Sequence, residues 1–190
     1  MGLGNPGETY RNTRHNVGFW TVEAVRRLCQ EKISLKKSLF RPYLFGRAEI
    51  AGVKLALAKP LTYMNRSGDA VPDIMRKAGT DLDELLIVCD NMDLPPGELR
   101  FRLRGGGAGQ KGMNSIIDSL GTDNFPRIFV GIGRPAPGVS VVDHVLGVPG
   151  PEEAALLREA VGAAAEGILR MGREPAERIM NELNGRKADR

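Results

Sequence analysis

Apolar and polar positions switch between two periods along this chain. Residues 17 to 31, VGFWTVEAVRRLCQE, set apolar side chains three and four apart and predict an amphipathic helix. Residues 42 to 50 and 53 to 59 predict two strands joined as a hairpin at Ala51-Gly52. Ser67 is placed to cap a helix running to about Ala78. LLIVC, 85 to 89, is a short apolar run of the kind that makes a buried central strand. ELRFRL, 98 to 103, alternates and predicts a strand with one wet face, followed by a Gly-rich stretch and a short helix at 112 to 120. IFVGIG, 128 to 133, predicts another strand, and helical patterns follow at 151 to 171, entered through Pro-Gly-Pro, and at 174 to 184. No internal repeat or low-complexity tract interrupts this order. Strands alternating with helices predict an α/β fold: one globular domain over 1–185, with a mixed β-sheet flanked by helices, and a basic flexible tail at 186–190. One feature resists the pattern. GLGNPG calls for a strand to feed it, yet only Met1 precedes it, so either the first strand is very short or residues are missing ahead of it.

Composition narrows the class. A chain of 190 residues with 42% hydrophobic and 26% charged side chains fits one soluble domain with a real core. It has no apolar run long enough for a membrane span and no secretory leader pattern. Cys29 and Cys89 make neither a disulfide framework nor a zinc site, and two free thiols point to the cytosol. The net charge is +4, with positive side chains gathered at Arg100, Arg102, Arg104 and Lys111 and at Arg186, Lys187 and Arg190. Such clusters serve either as a solvated face or as a surface for a polyanion.

Several segments carry candidate chemistry. Gly2-Leu-Gly4-Asn5-Pro6-Gly7 formally matches a dinucleotide fingerprint, but it lacks a full feeding strand and a helix starting within it. A tight loop presenting Asn5 is the better reading. His15 enters the first helix within the polar run Tyr10-Arg-Asn-Thr-Arg14-His15-Asn16. The positive end of a helix favours a neutral imidazole, the form a general base needs; a plain helix-entry hydrogen bond is the alternative. Asp90 follows the apolar strand, where ligands of open α/β sheets bind, and a carboxylate there can orient an imidazole. Asp93 can fix the turn before Pro95 and Pro96. Cys89 reads as core rather than nucleophile. Asn65, in Lys59-Pro-Leu-Thr-Tyr-Met64-Asn65-Arg-Ser67, can meet a substrate carbonyl or cap a helix. The run Arg104 to Gly112 is either a mobile loop or a phosphate-contacting one, and it is not a Walker motif. No ligand-spaced metal cluster is present; His144 stands alone. These residues amount to a cofactor-free, metal-free, water-activating site of one His, one Asp and some Asn amides.

Taken together, GLGNPG-x-x-Y-x-x-T-R-H-N-x-G, K-P-x-T-x-M-N-x-S-G, D-x-x-D-L-P-P-G, the Gly-rich loop and V-G-I-G-R-P resemble the bacterial-type peptidyl-tRNA hydrolases from residue 2 to about 185. The resemblance implies hydrolysis of the ester joining a peptide to the 3′ ribose of tRNA, which returns tRNA to translation. By position, His15 would be the general base and Asp90 its orienting partner. Asn5 and Asn65 would meet the peptide and the developing oxyanion. Tyr10 and Met64 would line the cleft, and Arg102 would sit near the tRNA 5′ phosphate; Lys111, where the chain departs from the family, is expected to contact substrate in place of the usual Asn. The resemblance also implies a monomer with peptidyl-tRNA as its partner.

The chain departs from the family pattern at two places. Gly109-Gln110-Lys111-Gly112 stands where Gly-His-Asn-Gly is usual, and Phe129 replaces the second Arg of Arg-Leu-Arg. These departures favour a second reading, a family member acting as a non-catalytic RNA- or protein-binding module, which an exposed apolar patch including Phe129 would support. A nucleotide-dependent enzyme built on GLGNPG is the third reading.

Overall fold

In the computed structural model, which describes residues 1–186, the helix predicted at 17 to 31 runs as α1, Val17–Leu28. It stops early because Gln30 and Glu31 turn into the left-handed region, with φ of 52° and 57°. A two-residue strand β1, Lys36–Lys37, pairs with β2, Tyr43–Ile50, which forms the predicted hairpin with β3, Val53–Pro60. The connecting turn needs positive φ at both residues, and Ala51 at 50° and Gly52 at 83° supply it. α2, Val71–Ala78, starts later than expected, with Pro72 in its first turn. Ser67 does not cap it. The Ser67 hydroxyl instead donates to Met64 O at 2.8 Å within a preceding 3-10 helix, Met64–Ala70.

The predicted strand at 85 to 89 is shifted to β4, Ile87–Asn91, because Leu85 closes a turn that starts with a capping box between Asp81 and Glu84. Asp90 therefore lies within the strand rather than just beyond it. β5, Leu99–Arg102, buries Leu99 and Phe101 and turns Arg100 and Arg102 outward, as its alternation predicts. α3, Lys111–Leu120, follows the Gly-rich stretch, and β6, Arg127–Gly131, is buried throughout. α4, Val141–Leu146, was not visible in the periodicity; Ser140 caps it by accepting from Asp143 N. α5, Pro151–Arg170, and α6, Ala176–Gly185, match the two final helical patterns. Asn184 of α6 covers the edge of β5 by bonding both N and O of Phe101.

Strands run in two sheets of order β1-β2-β3 and β4-β6-β5, the second mixed, with β4 parallel and β5 antiparallel to β6. Met1 to Leu3 link them. Gly2 N donates to Ala58 O of β3, while Leu3 N donates to Val88 O and Val88 N to Met1 O on the β4 side. Among the described residues, what feeds the GLGNPG loop is a single bridge at Gly2. α1 can lie directly on this bridge because Gly18 has no side chain: a Cβ there would sit 2.4 Å from Val88 O and 2.5 Å from Leu3 N. The main core lies between α1, α5 and the inner faces of β4, β5 and β6. Cys89 is fully buried, and burial together with the Asp90 charge pushes its thiol well up, so it is an inert core residue. Among the described residues, no helix is long and apolar enough to cross a membrane. Arg186, the first residue of the expected flexible tail, pairs with Glu159 of α5 at 2.7 Å; 187 to 190 lie outside the described residues.

Candidate active site

The site is assembled where the C-terminal end of β4 meets the loop after the first bridge. His15 lies in a 3-10 turn, Arg14–Asn16, that leads into α1. Arg14 pins this turn from outside, donating to both carboxylate oxygens of Glu153 at 2.6 Å and to His144 O. The His15 Nδ1 is 2.8 Å from Asp90 Oδ2, and both residues are buried. A buried carboxylate accepts, so Nδ1 carries the proton and Nε2 is left for the cleft.

Asn5 is fixed from two sides. Its backbone exchanges hydrogen bonds with the Asn16 side chain, and its Oδ1 accepts from Met64 N at 2.8 Å. With the oxygen so engaged, the Nδ2 hydrogens are what Asn5 can offer a ligand. Gly2 and Gly4 of GLGNPG serve packing, since a Cβ would collide with Gly18 at the first and with Phe19 and Asn16 at the second, while Gly7 supplies a φ of 104°. That use of glycine leaves the dinucleotide reading without support.

These groups open into a cleft of about 440 Å³ whose walls include Asn5, Tyr10, His15, Met64, Asn65, Asp90 and Lys111. All the expected catalytic and substrate-binding residues are thus gathered in one place. Met64 is buried at the floor, whereas Asn65 and Lys111 stand exposed at the rim. The opposite lip is apolar, formed by Val141, Val142 and Leu146 of α4. Arg102 lies outside the cleft, in an adjoining hollow with Arg100, Asp93, Gly106 and Phe129; Asn91 and Ala108 line both. The Arg100 Nε in that hollow is buried and has no partner among the described residues. Asp93 pairs with Arg134, and it is Asn91 whose side chain accepts from Asp93 N to shape the turn.

The departures from the family pattern resolve differently from one another. Phe129 is 3% exposed and packs in the core beneath the hollow, so it forms no surface patch. Gln110 is a site residue that the sequence reading left without a role. It is buried, caps α3 by accepting from Met113 N at 2.7 Å, and donates through Nε2 to Asp90 Oδ1 at 2.9 Å. Its signals in the sequence are a polar residue at a helix entry and a departure from the Gly-His-Asn-Gly pattern. The Gly-rich loop is tied down by Arg127, whose fully buried guanidinium donates to the carbonyls of Gly105, Gly106, Asp123 and Phe125. Among the described residues, no group of three or more His, Cys, Asp or Glu is placed to hold a metal ion.

Comparison with known proteins gives the family. A family model described as peptidyl-tRNA hydrolase matches residues 1–190. The peptidyl-tRNA hydrolase of Geobacillus kaustophilus is 44% identical over 184 residues, covering 97% of each chain. That of Bacillus subtilis is 41% identical over 185 residues, again covering 97% of each. The crystal structure of peptidyl-tRNA hydrolase from Acinetobacter baumannii superposes with a TM-score of 0.91 at 34% identity, covering 99% of this chain and 94% of that one. On sequence and on fold alike, this chain belongs to the peptidyl-tRNA hydrolase family.

Proposed function

We propose that this protein hydrolyses the ester bond between the peptide and the tRNA of peptidyl-tRNA, with His15 as general base and Asp90 as its orienting partner. The observation that carries this reading is the buried His15 Nδ1 to Asp90 Oδ2 contact of 2.8 Å, which commits Nε2 to the cleft. In the step proposed, Nε2 takes a proton from water as its oxygen attacks the ester carbonyl. The carbonyl electrons move to oxygen, and Asp90 stabilises the imidazolium. The imidazolium then returns the proton to the departing 3′ oxygen as the carbonyl re-forms, releasing a peptide acid and a tRNA with free ribose.

Asn5 Nδ2 and Asn65 supply neutral donors for the peptide and for the oxyanion. Tyr10 and Met64 line the place of the ester's two substituents, and Lys111 at the rim contacts substrate. Arg102, beside Arg100, takes a tRNA phosphate at the neighbouring hollow. The enzyme acts as a monomer in the cytoplasm. The experiment is release of free tRNA from an N-blocked aminoacyl-tRNA: turnover that Arg102→Ala weakens through KM is expected, and an Arg102→Ala enzyme with unchanged KM would remove that residue from tRNA binding.

A further inference from the structure

We propose that Gln110 is a positioning residue of the catalytic pair, holding the Asp90 carboxylate through its side-chain amide so that His15 stays oriented. The amide spans two obligations at once. Oε1 accepts from Met113 N at the start of α3, and Nε2 donates to Asp90 Oδ1. Turning the amide over would set N–H against N–H at the helix and oxygen against oxygen at Asp90, so only one orientation satisfies both ends. Asp90 then has one donor on each oxygen, Gln110 on Oδ1 and His15 on Oδ2. The carboxylate cannot rotate without breaking one of them, and its side chain is only 3% exposed, so water has little access to replace it.

The electrostatic consequence has a definite sign. Neutral imidazole with Asp90 carboxylate carries one negative charge; the protonated pair carries none. An N–H pointed at the pair favours the more negative state and therefore opposes protonation of His15. Removing that donor shifts proton uptake to higher pH, and replacing it by a carboxylate shifts it further. The other ionisable side chains on the elements around the pair are Tyr10 and Arg14 on its own segment, Tyr63 at the cleft wall, Cys89 beside Asp90, Lys111 on α3, Arg127 on β6, Asp143 and His144 on α4, and Glu153 on α5. They are unchanged across Gln110 variants and cannot order the shifts.

The proposal rests on the hydrolase reading only for its rate readout. The chain has two histidines, so the ring protons of His15 can be followed by NMR in the free protein, with His144 as internal control. Gln110→Met removes the donor and the cap acceptor; Gln110→Glu keeps an acceptor for Met113 N but sets a carboxylate against Asp90. The expected order of His15 midpoints is wild type, then Gln110→Met about one pH unit higher, then Gln110→Glu highest, with His144 unmoved. The acid limb of kcat/KM on N-blocked aminoacyl-tRNA is expected to move with it, kcat falling about tenfold while KM changes little. Midpoints of His15 that stay together in all three proteins would overturn the proposal, even if activity falls, since a cap alone would cost stability without ordering the shifts. Ordered midpoints in a protein that does not cleave the ester would leave Gln110 as the positioning residue and reject the hydrolase reading instead.

Discussion

The imidazole of His15 and the carboxylate of Asp90 meet across a sequence separation of 75 residues, Nδ1 to Oδ2 at 2.8 Å, with the Asp90 side chain almost wholly out of water. An asparagine in place of Asp90 keeps the shape but has one accepting atom for two donors, His15 Nδ1 and Gln110 Nε2. Asp90→Asn is expected to lower kcat by roughly 10²- to 10⁴-fold, the range for general-base catalysis that a misoriented imidazole forfeits, with the fold intact by circular dichroism. Wild-type kcat in that variant would take Asp90 out of the mechanism.

An ion pair ties α1 to the end of β3 and gives stability a pH dependence. Lys59 is 8% exposed, lies over the Phe19 ring and donates to Glu23. Burial works to raise the Glu23 carboxyl, but the hydrogen bonds and charges of Lys59 and then Arg26 together outweigh it and hold the group below its usual value. The more deeply buried Lys59 is itself lowered by desolvation, only partly offset by Glu23. A depressed carboxyl contributes stability above its unfolded value, and that contribution is lost as pH falls through the folded one. At neutral pH, Glu23→Gln strands the Lys59 charge and is expected to cost about 1–2 kcal/mol, a buried-pair loss discounted for the partly exposed Glu23. The gap in urea midpoint between wild type and variant is expected to close as pH drops below about 4.3, the free glutamate value. A gap constant from neutral pH to pH 3 would contradict the pairing.

Arg127 is a cation held by carbonyl oxygens alone, with its guanidinium 4.2 Å from the Phe125 ring. Burial lowers its proton affinity, yet arginine stays charged at any working pH. Arg127→Met takes the guanidinium donors from the buried Phe125 carbonyl, from half-buried Gly105 and from exposed Gly106 and Asp123, with Asp123 O keeping its bond from Gly105 N. A loss of about 3 kcal/mol is expected from groups worth roughly 1–3 each, which lowers Tm by about 6–12 °C in a domain of this size. An unshifted Tm would mean the Gly-rich loop is anchored by other contacts.

Much of this arrangement is legible in the sequence because it is local. Period-two and period-3.6 patterns locate β2, β3, β5, α1, α5 and α6 to within a few residues, and the polar run around His15 marks its turn as unlike core. What escapes is what depends on distant partners. Gln110 gains its role from Asp90, 20 residues earlier in the chain and on another element. α4 is six residues long with Val141 and Val142 both exposed, so no helical period can emerge. Ser67 has a capping residue's chemistry, but the 3-10 turn before α2 claims its hydroxyl. β1 is set by pairing with Phe45 and Leu44 rather than by its own two lysines. The bridge at Gly2 is legible only once Ala58 and Val88 are seen on either side of it.

The central claim is that His15 is the base of an ester hydrolase, and the direct measurement is release of free tRNA from an N-blocked aminoacyl-tRNA by wild type and by His15→Ala. The account predicts turnover by wild type and a loss of at least ~10²-fold in the variant, the general-base range. A folded wild-type protein giving only the background rate, or a His15→Ala variant that keeps wild-type turnover, would contradict it.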